Sequence, residues 1–164
     1  MLGYSHIQIN RLWTSVSVKV FIMMQKPADC EQILEIKDKT QVTIIQAVLP
    51  DGLKIQFNSA GTTSGRYKAQ HTETVDIIQH MDGTNEWESR AVDNIQPGEM
   101  VVITGKGVGQ AGTFQGEYHF MTGSKNLAWL NNTTGYVEGA VDMTNMEAVM
   151  KVFAVKEVMA AAPM

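Results

Sequence analysis

Two pairs of residues in this 164-residue chain have types and spacing suited to proton transfer or metal binding. His71 and Glu73 stand two apart, as do Glu117 and His119, so on a strand each pair shares one face. An imidazole beside a carboxylate on an inner face can act as a general base, or ligate a metal ion when a third ligand joins it. Glu86, Glu88 and Arg90 form another alternating set. Turned inward, Glu88 and Arg90 would make a paired polar floor with a shifted Glu pKa. Turned outward, they are a solvated row backed by Trp87 in the core, the more usual arrangement because charges are rarely buried unpaired. Likewise, if Tyr118 and Phe120 face the core, Glu117 and His119 point to water. For an inward-facing site, the catalytic candidates are His119, Glu88 and Arg90.

Other chemistries lack their residues. The single cysteine, Cys30, sits between Asp29 and Glu31, an acidic setting that raises a thiol pKa and argues against an activated nucleophile. No Cys/His set has zinc spacing, and the cupin pattern of two closely spaced histidines and a later Glu is absent, so no metal and no cofactor are expected. In "TGKGVGQAG" the glycines at 107, 109 and 112 fall at G-x-G-x-x-G spacing, but no helix follows. A strand or bend at a barrel end fits better than a dinucleotide loop. There is no Gly-x-Ser-x-Gly elbow. The net charge is −4 with scattered Lys and Arg, which leaves no nucleic-acid footprint.

The elements that must position these residues are mostly strands, since the pattern from residue 32 onward has period two. "QILEI" and "QVTIIQAV" read as two strands around a polar turn, "KDKT". "PDG" leads into "LKIQF", and "NSAGTTSG" (58–65) reads as a loop. "YKAQHTETVDIIQHM" and "EWESRAV" flank an Asp-Gly turn, the clearest hairpin in the chain. "DNIQPGE" is the next turn, followed by "MVVITGKGVG" and "TFQGEYHFMTG", with Gly116 marking a bulge. "SKNLAWL" makes one helical turn, and "GYVEGAVDM" and "AVMKVFAVKEV" close the set. "PADCEQILEI" has a helix-like start. Met146, Val149, Met150 and Phe153 have helical spacing too, but the β-branched content there favours a closing strand. The pattern predicts an all-β fold, a small antiparallel β-barrel of about eight strands with few or no helices. A single barrel domain spans 25–158. An extension or extra strand precedes it over 1–24, and a frayed tail follows over 159–164.

Three stretches, "YHFMTGSKNLAWLN", "GYVEGAVD" and "KVFAVK", carry a resemblance over about residues 112–156. They resemble the C-terminal half of small, uncharacterised bacterial and fungal barrels of the calycin-like or allene-oxide-cyclase-like type. In that pattern a strand ends in Phe-x-Thr, here Phe120 and Thr122, and an Ala-Trp-Leu-Asn turn follows, here Ala128 to Asn131. The resemblance implies a barrel that binds a small, largely apolar molecule, with isomerase or cyclase activity as one expectation. Tyr118, Phe120, Trp129, Asn131 and Tyr136 would then line the ligand. A competing physical reading makes Trp129 a plug, a large apolar face covering a barrel end. The alternative function is a structural or interaction barrel with a filled core, acting as a homo-oligomer. The expected partner is a small apolar ligand, with neither nucleic acid nor membrane insertion. A lone cysteine suits a reducing, cytoplasmic compartment.

Overall fold

The computed structural model of the protein describes residues 26–155. The expectations for residues 1–24 and 159–164 fall outside that range. Eight strands follow in order: β1 (Cys30–Leu49), β2 (Gly52–Gly65), β3 (Ala69–His80), β4 (Thr84–Gln96), β5 (Glu99–Gln110), β6 (Thr113–Thr122), β7 (Thr134–Asp142) and β8 (Glu147–Val155). Each pairs antiparallel with the next, and β8 returns to β1, so the sheet closes on itself. The helical element among the described residues is a 3-10 turn, Ala128–Asn132, which overlaps the segment expected to make one and runs two residues past it.

The expected all-β barrel is therefore present. Its closing pair runs from Cys30 opposite Val155 to Lys39 opposite Glu147. In β8, Met150, Val152 and Ala154 alternate into the core. That period-two burial, with β1 as partner, decides the segment for strand over helix.

Five local expectations are corrected. No helix forms at "PADC": a turn leads directly into β1. "KDKT" is no turn, because β1 runs through it, with Lys37 outside and Asp38 buried. "NSAGTTSG" is the second half of β2, and "DNIQ" belongs to β4. Gly116 makes no bulge, since it pairs with Gly107 in unbroken register. The three stretches that read as turns or loops share a cause: polar residues face inward in them, and so imitate the composition of turns.

The glycine-rich stretch lies in β5, paired on both sides. Its inward glycines leave room for aromatic rings. A Cβ on Gly105 would lie 2.3 Å from a ring carbon of Tyr118, and one on Gly107 would lie 2.4 Å from the indole of Trp87. Trp87 in turn meets Phe114 and Tyr118 edge-on, with ring centroids 5.9 and 6.2 Å away. Such edge-to-face contacts stabilise beyond the area they bury.

Beyond Lys39, β1 leaves β8 and continues with β2 and β3 as a ledge, bent by register shifts after Thr40 and Ile45. On its inner side Ile45, Ile55 and Ile77 stand opposite one another in one row that ends at Trp87.

Gly107→Ala should lower stability by about 1–3 kcal/mol, the usual cost of overpacking. Gly123→Ala, with open space around its Cβ position, should change it by less than about 0.5 kcal/mol. Urea denaturation of both variants checks the contrast.

Candidate functional site

A polar group sits inside the barrel. β3 contributes His71 and Glu73, β4 contributes Ser89 and Asp93, and β1 contributes Asp38; all five are buried. Alternation places them, because each is flanked in its strand by more exposed residues: Lys37 and Lys39 around Asp38, Gln70 and Thr72 around His71. Register sets their depth. From the ledge inward, the rows read Val75–Ser89–Gly105–Tyr118, then Glu73–Ala91–Ile103–Phe120, then His71–Asp93–Val101.

Asp93 is the best-bonded member. It accepts from the Thr63 hydroxyl (2.9 Å), the Tyr67 hydroxyl (2.6 Å) and Nδ1 of His71 (2.6 Å). A carboxylate only accepts, so Nδ1 carries the hydrogen. That leaves Nε2 of His71 pointing at Glu73, 3.9 Å from Oε2 and too far for a hydrogen bond. Nε2 is buried with no hydrogen-bond partner, as is Oγ of Ser89. Glu73 accepts from the Tyr118 hydroxyl at 3.3 Å, and Asp38 accepts from Ser59 at 2.6 Å.

Charge follows from this geometry. Burial lowers the His71 pKa, but the bond to Asp93 and the nearby Glu73 charge outweigh it and lift it to about 9. Burial pushes Asp38 up, against the Ser59 bond and with help from Glu73. Burial and the neighbouring carboxylates raise Tyr67 and Tyr118, so both hydroxyls stay protonated donors. Among the described residues, three buried carboxylates face one imidazole, with no Lys or Arg among the buried side chains.

The residues singled out from sequence divide sharply. Tyr118 and Phe120 point inward and are buried. Glu88, Arg90 and His119 lie on the outer face. Their neighbours Trp87, Ser89, Tyr118 and Phe120 take the inner face, and strand alternation leaves them no choice. Arg90 pairs with Asp76 there. Tyr136 also faces outward, opposite Glu117, while Gly135 and Val137 are buried. Asn131 is exposed, and its amide bonds both the backbone N–H and the carbonyl of Thr122, tying the 3-10 turn to β6. At the barrel end the fully buried plug is Leu130, with Trp129 packed partly buried against the core. His71 and Glu73 do share an inner face; Asp38 and Asp93, which complete their surroundings, were hidden in segments that read as turns.

No protein-family model matches the chain, and no curated relative matches it. Solved structures do. A conserved protein of unknown function from Rhodopseudomonas palustris is similar at TM-score 0.67 and 14% identity, over 79% of this chain and 99% of that one. A β-barrel-like protein from Acinetobacter baumannii matches at 0.64 and 14%, over 79% and 98%. An enzyme from Penicillium herquei matches at 0.61 and 15%, over 79% and 98%. At these identities the likeness shows the fold alone: a closed, eight-stranded antiparallel β-barrel.

Asp93→Asn should cost about 3–5 kcal/mol, because it breaks a buried charged pair and replaces one of the two acceptor oxygens, which together serve three donors, with an amide N–H. His119→Ala should leave the denaturation midpoint in place. Urea titration of the two variants distinguishes an inner from an outer position.

Proposed function

We propose that the barrel receives a small, largely apolar molecule and acts on it as an isomerase or cyclase, through the polar centre around His71, Glu73 and Tyr118. The observation that carries this reading is the pair of buried, unpartnered atoms, Nε2 of His71 and Oγ of Ser89. Leaving a buried polar atom unmatched costs about 1–3 kcal/mol. A barrel filled only for stability would replace such atoms with apolar ones, whereas a ligand oxygen would satisfy them. Ser89 would donate to that oxygen, Tyr118 would do so by turning its one O–H away from Glu73, and the His71–Asp93 pair would supply a fixed charged centre beside it. Intramolecular rearrangement needs little more than an enclosure that holds the substrate folded and dipoles set for the charge that moves.

Two further points support the reading. The Phe120-to-Asn131 segment resembles calycin-like and allene-oxide-cyclase-like barrels, and one structural neighbour is an enzyme. A fold does not carry function by itself, so the site bears the argument. The one cysteine, Cys30, is a free thiol, which suits a cytoplasmic protein.

Native mass spectrometry of freshly purified protein, followed by organic extraction, tests the proposal. Wild-type protein should carry a small molecule, and Tyr118→Phe and Ser89→Ala should retain less of it, while His119→Ala retains as much. A wild-type mass without ligand, with no component of a cell extract raising the melting temperature, would establish the filled structural barrel instead.

A further inference from the structure

Resting on that reading of the centre as a ligand site, we propose that the centre binds a divalent transition-metal ion through Asp38, Nε2 of His71 and Glu73, with Asp93 orienting the imidazole. The three side chains come from β1 and β3, and their ligand atoms all lie within 4.8 Å of one another. His71 is 1% exposed, and its Nε2 is unpartnered and lies 3.9 Å from Oε2 of Glu73. Asp93 holds the hydrogen on Nδ1, so the ion would displace the Nε2 proton and bind the lone pair of that nitrogen. Carboxylate–histidine–metal relays have this arrangement. Asp93 itself is no ligand, since Thr63, Tyr67 and His71 already occupy its oxygens.

Charge points the same way. Three buried carboxylates against one imidazole leave an excess of negative charge in a low-dielectric interior, which a divalent cation would neutralise. Two carboxylate oxygens and one imidazole nitrogen suit zinc, manganese or ferrous iron rather than a soft ion. Metal–ligand distances of about 2.0–2.2 Å would draw the triangle inward, and three protein ligands leave a position open for a carbonyl or hydroxyl oxygen of the bound molecule. The Tyr118 hydroxyl, 3.3 Å from Glu73, stands beside that position. The substrate class is thus an apolar molecule with an oxygen that the ion polarises.

The test uses the full chain, stripped with a chelator and titrated separately with Zn²⁺ and Mn²⁺ by calorimetry. One ion per chain is expected. Asp38→Asn and Glu73→Gln should each weaken binding about tenfold or more, and Asp93→Asn by about 10–100-fold; His119→Ala should leave it unchanged. Circular dichroism reports whether the buried-site variants fold. If they do not, wild-type ring NMR signals decide: Zn²⁺ should shift those of His71 and leave those of His80 and His119. Absence of a stoichiometric ion, an ion that moves only His80 or His119, or unchanged binding in a folded Glu73→Gln would overturn the metal site. An extracted organic ligand with no metal binding would overturn this inference alone, and metal binding without an organic ligand would overturn only the small-molecule reading.

Discussion

The carboxylate of Asp93 is the constraint on which the interior depends. It sits on β4 with no exposure to solvent, and it cannot shed its charge to water. Its donors come from β2, from the β2–β3 connection and from β3. Three neighbouring parts of the wall are thereby held to one point inside the barrel. The same bonds settle the tautomer of His71, and so determine which nitrogen faces Glu73. A group that fixes strand positions and imidazole chemistry together leaves little room for substitution at either level.

Around this centre, size matching does the rest. An eight-stranded barrel is just wide enough for side chains to fill. Two of the largest inward side chains, Trp87 and Tyr118, fit because Gly105, Gly107 and Gly116 leave their side of the wall bare. Phe120 and Phe114 lie likewise over Gly135 and Gly139. Of the three glycines at phosphate-loop spacing, Gly107 is thus the counterpart of an aromatic ring, while Gly109 lies against Asn85 and Gly112 sits at positive φ in the turn between β5 and β6. Close packing of large against small is what holds Tyr118 in the row above Glu73.

Much of the fold was legible from sequence because hairpin turns and alternation survive wherever the core is apolar. The Asp-Gly hairpin, the closing strand and the Ala-Trp-Leu-Asn turn all fall in such places. The site was half legible. His71 and Glu73 declared a shared face by spacing, yet Asp38, Thr63 and Asp93 lay in "KDKT", "NSAGTTSG" and "DNIQPGE". Each of those stretches keeps its period once a polar residue is allowed on the inner face, but single-sequence reasoning prices buried charge as rare. Nothing short of the ladder distinguishes an inward Asp from a turn Asp. The lysines at 37 and 39, spaced two apart about Asp38, are the one local hint. Glu88, Arg90 and His119 drew attention for their chemistry, although Trp87, Tyr118 and Phe120 already assigned them to the outside.

The two ends of the barrel differ in a way that gives the proposed ligand a direction. At one end Leu130 of the 3-10 turn is fully buried, and Asn131 fastens that turn to β6. At the other, β1 to β3 outrun β8, and Ile45, Ile55 and Ile77 form an apolar row. Polarity then rises with depth, from isoleucines through Ser89 and Tyr118 to Glu73 and finally His71 with Asp93. A molecule with an apolar body and one oxygen matches that gradient when its oxygen leads. The reverse orientation would bury apolar surface against three carboxylates and strand the oxygen among isoleucines, so desolvation alone selects the first. Orientation by such a gradient needs no polar contact at the rim. The only polar groups required are those that hold the centre together.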